Sequence, residues 1–477
     1  MDKKMAKKNS SLQKQTLKVI FNNLANLSDE NLIQIIEMGE EYLIDDPTLK
    51  QQAEDIKKLF EQKHPALELV RRTLTSISKE CRDKLIENLI INAMVVENQR
   101  RQKLAKELGF GLPWFFVMSP TAQCNLNCRG CYAGRYIKDE GLPFELVDRI
   151  LNEAKELGIY FVVISGGEPY FWPHILEVFE KHNDMYFMTY TNGTLLTKEM
   201  AKKLAKLGNV APAISIEGFE KETDDRRGPG TFKKIMEAMD NLKEAGVPFG
   251  FSVTPTKLNV EALMSDEFVD LMIQKGCSFG WYFQYVPVGR KPDVNLMVSP
   301  EDRNRLRMRT NEIRNTKPLF VGDFWNDGPY AGGCIAGARP GGYFHINCNG
   351  GVEPCAFLQF SVDNIKDKHL LDVIRSPFFQ AFQEAQPYCE NGNLLTPCAL
   401  IDNPEVLRKI VKEYNAKPSY EGADDAICNP TICHFLDEYS KAYKKIADPV
   451  WESGMNKKYK HWKEKAAESA KKNNKKD

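Results

Sequence analysis

The sequence predicts an α/β chain: a partial (βα)6 TIM-like barrel, preceded by an all-helical N-terminal domain and followed by a small cysteine-rich auxiliary domain. Three observations lead there. Residues from about 10 to 110 carry long helical patterns and no cluster of ligand-type side chains. From Trp114 to about residue 290, short apolar runs alternate with amphipathic stretches, the texture of repeated βα units around a parallel sheet. Beyond that point the repeat gives way to a section rich in glycine and cysteine. The expected boundaries are 1–110, 111–300, 301–435 and 436–477, the last being a helix with a basic, disordered tail.

The elements follow in order. LSDENLIQIIEMGEEYL offers a cap at Ser28 or Asp29, an acidic first turn and an apolar i, i+3, i+4 stripe. CRDKLIENLIINAMVVENQRRQKLAKELG reads as a second helical stretch ended by Gly109. With no ligand cluster, this domain is expected to pack or to dock substrate, and Cys81 to be a buried thiol. Strands are expected at WFFVMS, 160–165, 185–191, 211–216, 249–255 and 279–287. Helices are expected at ELVDRILNEAKELG, KEMAKKLAKLG and FKKIMEAMDNLKEAG, each closed by a glycine. In such a barrel the active site forms from loops at the C-terminal ends of the strands.

Composition narrows the function classes. Lysine plus arginine and aspartate plus glutamate each number 65, so the net charge is zero and no global field draws the chain to nucleic acid or acidic lipid. The basic tail KKYKHWKEKAAESAKKNNKKD offers only Tyr459 and Trp462 for stacking, which favours a solvated tail over a nucleic-acid contact. No apolar run approaches the roughly 18 residues of a transmembrane helix, and MDKKMAKKNSSLQ lacks the apolar core of a signal peptide. A cytoplasmic location is expected. Twelve cysteines then argue for metal or redox chemistry rather than disulfides, and oxygen-sensitive clusters would suit an anaerobic host.

Cys124, Cys128 and Cys131 stand at a C-x3-C-x2-C spacing in TAQCNLNCRGCYAG, directly after the first strand. A 4Fe-4S cluster normally takes four cysteines, so three leave one iron open. A structural zinc site would want a fourth cysteine or histidine close by, and none follows Cys131 closely. The motif resembles that of the radical S-adenosylmethionine (radical SAM) superfamily. The resemblance implies that the methionine moiety of S-adenosylmethionine chelates the open iron, and that the reduced 4Fe-4S cluster cleaves the cofactor to a 5'-deoxyadenosyl radical that abstracts hydrogen from substrate. Gly166-Gly167-Glu168-Pro169 resembles the family's GGEP segment, implying that Glu168 and the two glycines hold the methionine ammonium group. The glycines, lacking Cβ atoms, let backbone approach a ligand. Thr191-Asn192-Gly193-Thr194 matches a cofactor-lining position, although an Asn-Gly turn explains it equally. Ser215 and Glu217 resemble the pair near the ribose hydroxyls, and Arg227 the arginine that meets the methionine carboxylate. One departure stands out. The residue before the third cysteine, often aromatic in the family, is Gly130, so adenine packing must come from residues such as Val253 or Tyr285.

Seven further cysteines follow: Cys334, Cys348, Cys355, Cys389, Cys398, Cys428 and Cys433. Cys334, then GARPGGYFHINCNGG, then G-x4-C ending at Cys355 resembles the auxiliary-cluster domain of the SPASM/twitch subgroup. The full C-x2-C-x5-C-x3-C run is missing, which implies one auxiliary 4Fe-4S cluster rather than two. The implied ligands are Cys334, Cys355 and Cys398; the fourth is left open between Cys348, Cys389, Cys428, Cys433 and a non-protein group. Cys428, Cys433 and His434 could instead bind a separate metal or be inert, and Cys277 reads as a core residue. In VGDFWNDGPYAGG, residues Asp323, Trp325, Asn326 and Asp327 suit either a substrate wall or a loop whose Asx side chains satisfy its own backbone.

The resemblance implies an enzyme whose substrate is not identified. Within the subgroup it points mainly to peptide or protein modification, such as cross-linking or formylglycine formation, with lipid or small-molecule cofactor synthesis as further options. It also implies an electron donor such as flavodoxin or ferredoxin. The alternative from another class is a non-catalytic iron-sulfur relay or sensor, which would have no use for a cofactor pocket.

Overall fold

The computed structural model describes residues 28–42, 54–55 and 57–457. Its central sheet has the order β7-β6-β5-β4-β3-β2-β1-β8-β9, built from β1 (Phe115–Met118), β2 (Phe161–Ile164), β3 (Tyr186–Thr191), β4 (Val210–Ser215), β5 (Gly250–Val253), β6 (Phe279–Tyr282), β7 (Phe320–Asp323), β8 (His345–Ile346) and β9 (Val352–Glu353). Strands β1 to β7 are parallel to their neighbours, with registers such as Phe115↔Phe161 and Phe187↔Val210. The first six match the expected strands to within a few residues, and runs such as FVVI and VAPAI are apolar throughout because helices cover one face and the lumen takes the other.

The repeat continues past residue 300. The helix Pro300–Thr316 leads into β7, a seventh parallel strand, where sequence reading expects a loop in the cysteine-rich domain. Only Phe320–Asp323 is extended, and Gly322 interrupts the β pattern because a Cβ there would stand 2.6 Å from the Trp281 ring. At the other edge β8 pairs parallel with β1 and antiparallel with β9, so the cysteine-rich segment adds strands to the barrel sheet. Among the described residues the largest hydrophobic core runs from Ile77 to Trp451, with two smaller clusters beside it. The C-terminal helix begins at Pro430, earlier than residue 436, where Asn429 accepts from the amides of Thr431 and Ile432. The basic tail with Tyr459 and Trp462, and residues 10–27 of the N-terminal region, lie outside the described residues. Among the described residues no helix is long and apolar enough to cross a membrane.

The N-terminal helices cover the barrel's bottom, the end opposite the cysteine loops. Asp29–Tyr42 is capped by Ser28, whose Oγ accepts from the Asn31 amide at 3.3 Å. Arg72 donates to the carbonyls of Ile273, Cys277 and Pro318 at 2.8–2.9 Å, all just ahead of β6 and β7. Asn88 donates to Asn183 and Met185 ahead of β3, and the Ser78 amide to Gly246 ahead of β5. The second helical stretch is α-helical at Lys79–Lys84, π-helical at Leu85–Val96 and α-helical again to Leu108, ending on left-handed Gly109. Cys81 and Cys277 are both fully buried, as expected of core thiols.

Arg303 joins the barrel to the cysteine-rich segment. Its guanidinium donates to both oxygens of Asp402 at 2.5 and 3.1 Å and to Asn326 Oδ1 at 3.1 Å, and lies 3.7 Å above the Tyr443 ring. Both charged side chains are wholly buried. Asp402 also accepts from the Cys398 amide at 3.0 Å, so the pair anchors that cysteine. Removing one member strands a buried charge, which costs about 3–5 kcal/mol. Asp402→Ala should therefore lower unfolding stability by about that amount in urea titration; a loss below about 1 kcal/mol would show that the pair is dispensable.

Candidate functional site

The three cysteines of the C-x3-C-x2-C motif lie in the loop that leaves the C-terminal end of β1. Cys124 is within electrostatic reach of Cys128, Cys131 and Glu168. The Leu126 amide donates to Cys124 Sγ at 3.4 Å and Asn192 Nδ2 approaches it at 3.8 Å, contacts that favour a sulfur carrying negative charge. Arg290 braces the loop: its amide donates to Cys131 O at 2.9 Å and its guanidinium to Cys128 O at 3.2 Å. Cys124 and Cys131 are raised above their ordinary value, by burial first. Thiolates there require a positively charged partner, which is what an iron-sulfur cluster provides.

The GGEP segment lies along this loop. Amides of Gly167 and Glu168 each donate at 2.8 Å to the carbonyls of Thr121 and Gln123. A Cβ on Gly166 would come within 2.3 Å of Thr121 O, and one on Gly167 within 2.1 Å of Gln123 O. The close approach that needs these glycines is therefore to the cysteine loop itself. Glu168 is fully buried; Oε1 accepts from Thr191 Oγ1 at 2.7 Å and the Tyr170 amide at 3.2 Å, and Oε2 from the Asn192 amide at 2.7 Å. A carboxylate has about four acceptor sites, so one is left for an external donor. Burial drives its acid up to about 7, only partly offset by those hydrogen bonds and by Arg227.

Ser215 and Glu217 leave β4 as expected, but Glu217 is engaged inside the chain. Its fully buried Oε1 accepts from Arg226 and from Arg227 Nε at 2.8 Å, and its Oε2 from the Thr254 amide at 3.2 Å. Ser215 Oγ is 3.1 Å from Ser252 Oγ. Burial alone would lower Arg227, yet Glu217, and then Cys128, hold it above its ordinary value. Gly130 is answered by Tyr285: a Cβ at position 130 would stand 2.6 Å from the tyrosine ring, which fills the place an aromatic side chain there would take. Asp323, Asn326 and Asp327 satisfy one another, while the indole Nε1 of Trp325 is buried without a partner. Asp323 accepts from Asn326 Nδ2 at 2.7 Å, and Asp327 pairs with Arg314 at 2.7 Å. That is the reading in which Asx side chains satisfy their own loop.

Cys334, Cys355 and Cys398 meet at a second place, each within electrostatic reach of the others. Burial pushes all three thiols up to about 12. Amides of Phe357 and Leu400 donate to Cys355 and Cys398 sulfur at 3.5 and 3.3 Å. Two tyrosines that nothing in the sequence marks complete the setting: Tyr343, whose hydroxyl lies 2.9 Å from Cys355 Sγ, and Tyr388, within reach of all three sulfurs. The remaining cysteines lie elsewhere. Cys348 packs with Ala122, Ala133 and Tyr136, Cys389 donates to Asn393 O, and Cys428 neighbours Cys433. Among the described residues no three Cys, His, Asp or Glu side chains gather around a single-ion position.

Residues 118–268 match the model of the radical SAM superfamily, and residues 334–399 that of an iron-sulfur cluster-binding domain, SPASM. This chain belongs to the radical SAM superfamily. An AdoMet-dependent heme synthase of Methanosarcina barkeri is 27% identical over 312 residues, spanning 58% of this chain and 84% of that protein. The mycofactocin maturase MftC of Mycolicibacterium smegmatis is 30% identical over 264 residues, spanning 53% and 66%. The solved structure of Streptococcus suis SuiB bound to S-adenosylmethionine aligns with a TM-score of 0.53 at 22% identity, covering 63% of this chain and 75% of that one, a likeness of fold. The radical SAM chain is thus an enzyme whose cofactors are a 4Fe-4S cluster, S-adenosylmethionine and auxiliary iron-sulfur.

The raised acid of Glu168 has a measurable sign. Between its ordinary value of 4.5 and about 7 the folded ligand-free chain binds a proton that the unfolded chain has lost. The contribution of Glu168 to stability therefore falls as pH rises through that window, by at most about 3 kcal/mol. Urea titrations across that window should show a shallower decline for Glu168→Gln than for the native chain. Parallel curves would contradict the buried-acid assignment.

Proposed function

We propose that Cys124, Cys128 and Cys131 hold the cofactor-binding 4Fe-4S cluster, that Cys334, Cys355 and Cys398 hold an auxiliary one, and that the enzyme modifies a peptide or a protein segment placed between them. The carrying observation is the arrangement of the two cysteine sets. Tyr132, next to Cys131, packs its ring 5.3 Å from that of Phe357, two residues beyond Cys355. A substrate at that junction would face both sites.

When bound, the cluster and S-adenosylmethionine supply a radical able to remove hydrogen from an unactivated carbon. The chain's own residues position and enclose. Glu168 has an acceptor free for the ammonium of S-adenosylmethionine, Asn192 links that carboxylate to the Cys124 loop, and Tyr285 offers a ring beside Gly130. Arg226 and Arg227, held by Glu217, place positive charge beside the cysteine loop, where a carboxylate could be met. The helices under the barrel cover its far end through Arg72, Ser78 and Asn88. A peptide substrate is supported by the maturase among the relatives and by SuiB, whose structure is known with its precursor peptide SuiA; the heme synthase keeps a small molecule as the competing outcome.

Anaerobic reconstitution tests the ligand sets. A Cys124, Cys128 and Cys131 triple alanine variant should keep about one cluster's worth of iron and sulfide, and so should the Cys334, Cys355 and Cys398 variant. Either variant retaining the native iron content would remove its set from the ligands. With dithionite and S-adenosylmethionine, the native protein and not the first variant should release 5'-deoxyadenosine; an intact cluster with no release would point to a redox relay.

A further inference from the structure

The lumen between the two cysteine sites is walled by aromatic rings. Tyr190 ends β3 and Phe283 follows β6, and β4 and β5 lie between those strands, yet the two rings meet at 5.4 Å. They can meet only across the inside of the curved sheet. Phe324, after β7, stands 5.2 Å from Phe283, and Phe357 stands 5.9 Å from Phe324. Trp281 stacks 6.2 Å from Phe283 at an interplanar angle of 22°. With Tyr132 these make six rings, one from the first cysteine loop and one from the second.

All six are half-buried rather than buried, although they lie inside the molecule. Tyr190 shows what that means: burial holds its phenol well above the ordinary value while part of the residue stays accessible. Trp281 adds a polar mark, since its indole Nε1 is buried without a hydrogen-bond partner, and a buried donor of that kind is normally satisfied. The charged groups at the strand tips are committed elsewhere: Glu168 to Thr191, Asn192 and Tyr170, Glu217 to Arg226 and Arg227, Asp323 to Asn326. The wall therefore offers ring faces, ring edges, the Tyr190 hydroxyl and the Trp281 N–H, and no unengaged charge from these tips apart from the Glu168 acceptor left for the cofactor ammonium.

We infer that this lumen selects an aromatic side chain of its substrate, a tryptophan, tyrosine or phenylalanine, stacked among Tyr190, Trp281, Phe283, Phe324 and Phe357. The inference rests on the peptide reading above and adds the residue class recognised. Edge-to-face and offset contacts give such a ring a preference of about threefold to tenfold over an aliphatic chain of similar size.

The test uses the anaerobically reconstituted holoenzyme with S-adenosylmethionine, immobilised and exposed to a synthetic random peptide library whose bound fraction is sequenced. Enrichment of aromatic residues is expected, and its loss in Phe283→Leu and Tyr190→Leu variants that keep native iron content and S-adenosylmethionine binding. Captured peptides without that enrichment, or enrichment that survives both variants, overturn the inference while the peptide reading stands. If no peptide is captured the peptide reading fails, and N-acetyl-tryptophanamide against N-acetyl-leucinamide, followed by ligand NMR, decides the inference alone: a preference of about threefold or more sustains it, and equal affinity overturns it.

Discussion

Strand β1 is hydrogen-bonded along both edges, and both cysteine sites hang from that fact. On one side it pairs with β2; on the other the amides of Val117 and Ser119 donate to the carbonyls of Phe344 and Ile346 at 2.9 and 2.8 Å. The first cysteine loop leaves the end of β1, and β8 turns through β9 toward Cys355. The auxiliary segment is thereby part of the barrel sheet, with its position fixed by backbone bonding instead of a flexible linker. Glu353 ties the corner further. Its buried carboxylate accepts from Tyr136 at 2.7 Å and Asn347 at 2.8 Å and from Ser419, and pairs with His345 Nδ1 at 2.6 Å; the other ring nitrogen of His345 lies 2.8 Å from Ser119 Oγ. Such a fully satisfied buried network specifies one geometry because any displaced member would leave a polar group unpaired.

The same logic governs the charges. Glu217 with Arg226 and Arg227, and Arg303 with Asp402, are buried where single ions would be untenable, and each is completed by further donors. Burying ion pairs adds little stability compared with apolar packing, but it fixes which loops meet. Here it sets the helix Glu220–Arg227 against the first cysteine loop, where the Arg129 amide donates to Arg226 O, and sets the Cys398 turn against the helix Pro300–Thr316.

Much of this was legible in the sequence because it is local. Six strands, their glycine-capped helices and the cysteine triplet are written in runs of a few residues, whereas the Cys334, Cys355 and Cys398 set came from the resemblance to the SPASM/twitch subgroup. What was not legible is non-local or short. Strand β7 runs directly into the polar stretch Asp323 to Asp327, which reads as loop, and β8 and β9 have two residues each, below the length at which alternation is visible. The reason for Gly166 and Gly167 is a backbone some 45 residues upstream, and Tyr343 and Tyr388 carry no motif. Glu217 and Arg227, ten residues apart, could be placed near a cofactor by resemblance, but their mutual engagement appears only once the helix between them is folded.

The clamp made by Arg72 bears on how the chain is assembled. Its acceptor carbonyls lie 201, 205 and 246 residues further along. On a ribosome the helices of the N-terminal region emerge before the barrel strands, yet the Arg72 acceptor set is complete only once Pro318, just ahead of β7, has been made. The Arg72 clamp therefore joins a segment made early to carbonyls made much later. High sequence separation of this kind slows closure, and for that interval the underside of the sheet is open, giving chaperones a defined apolar surface to hold.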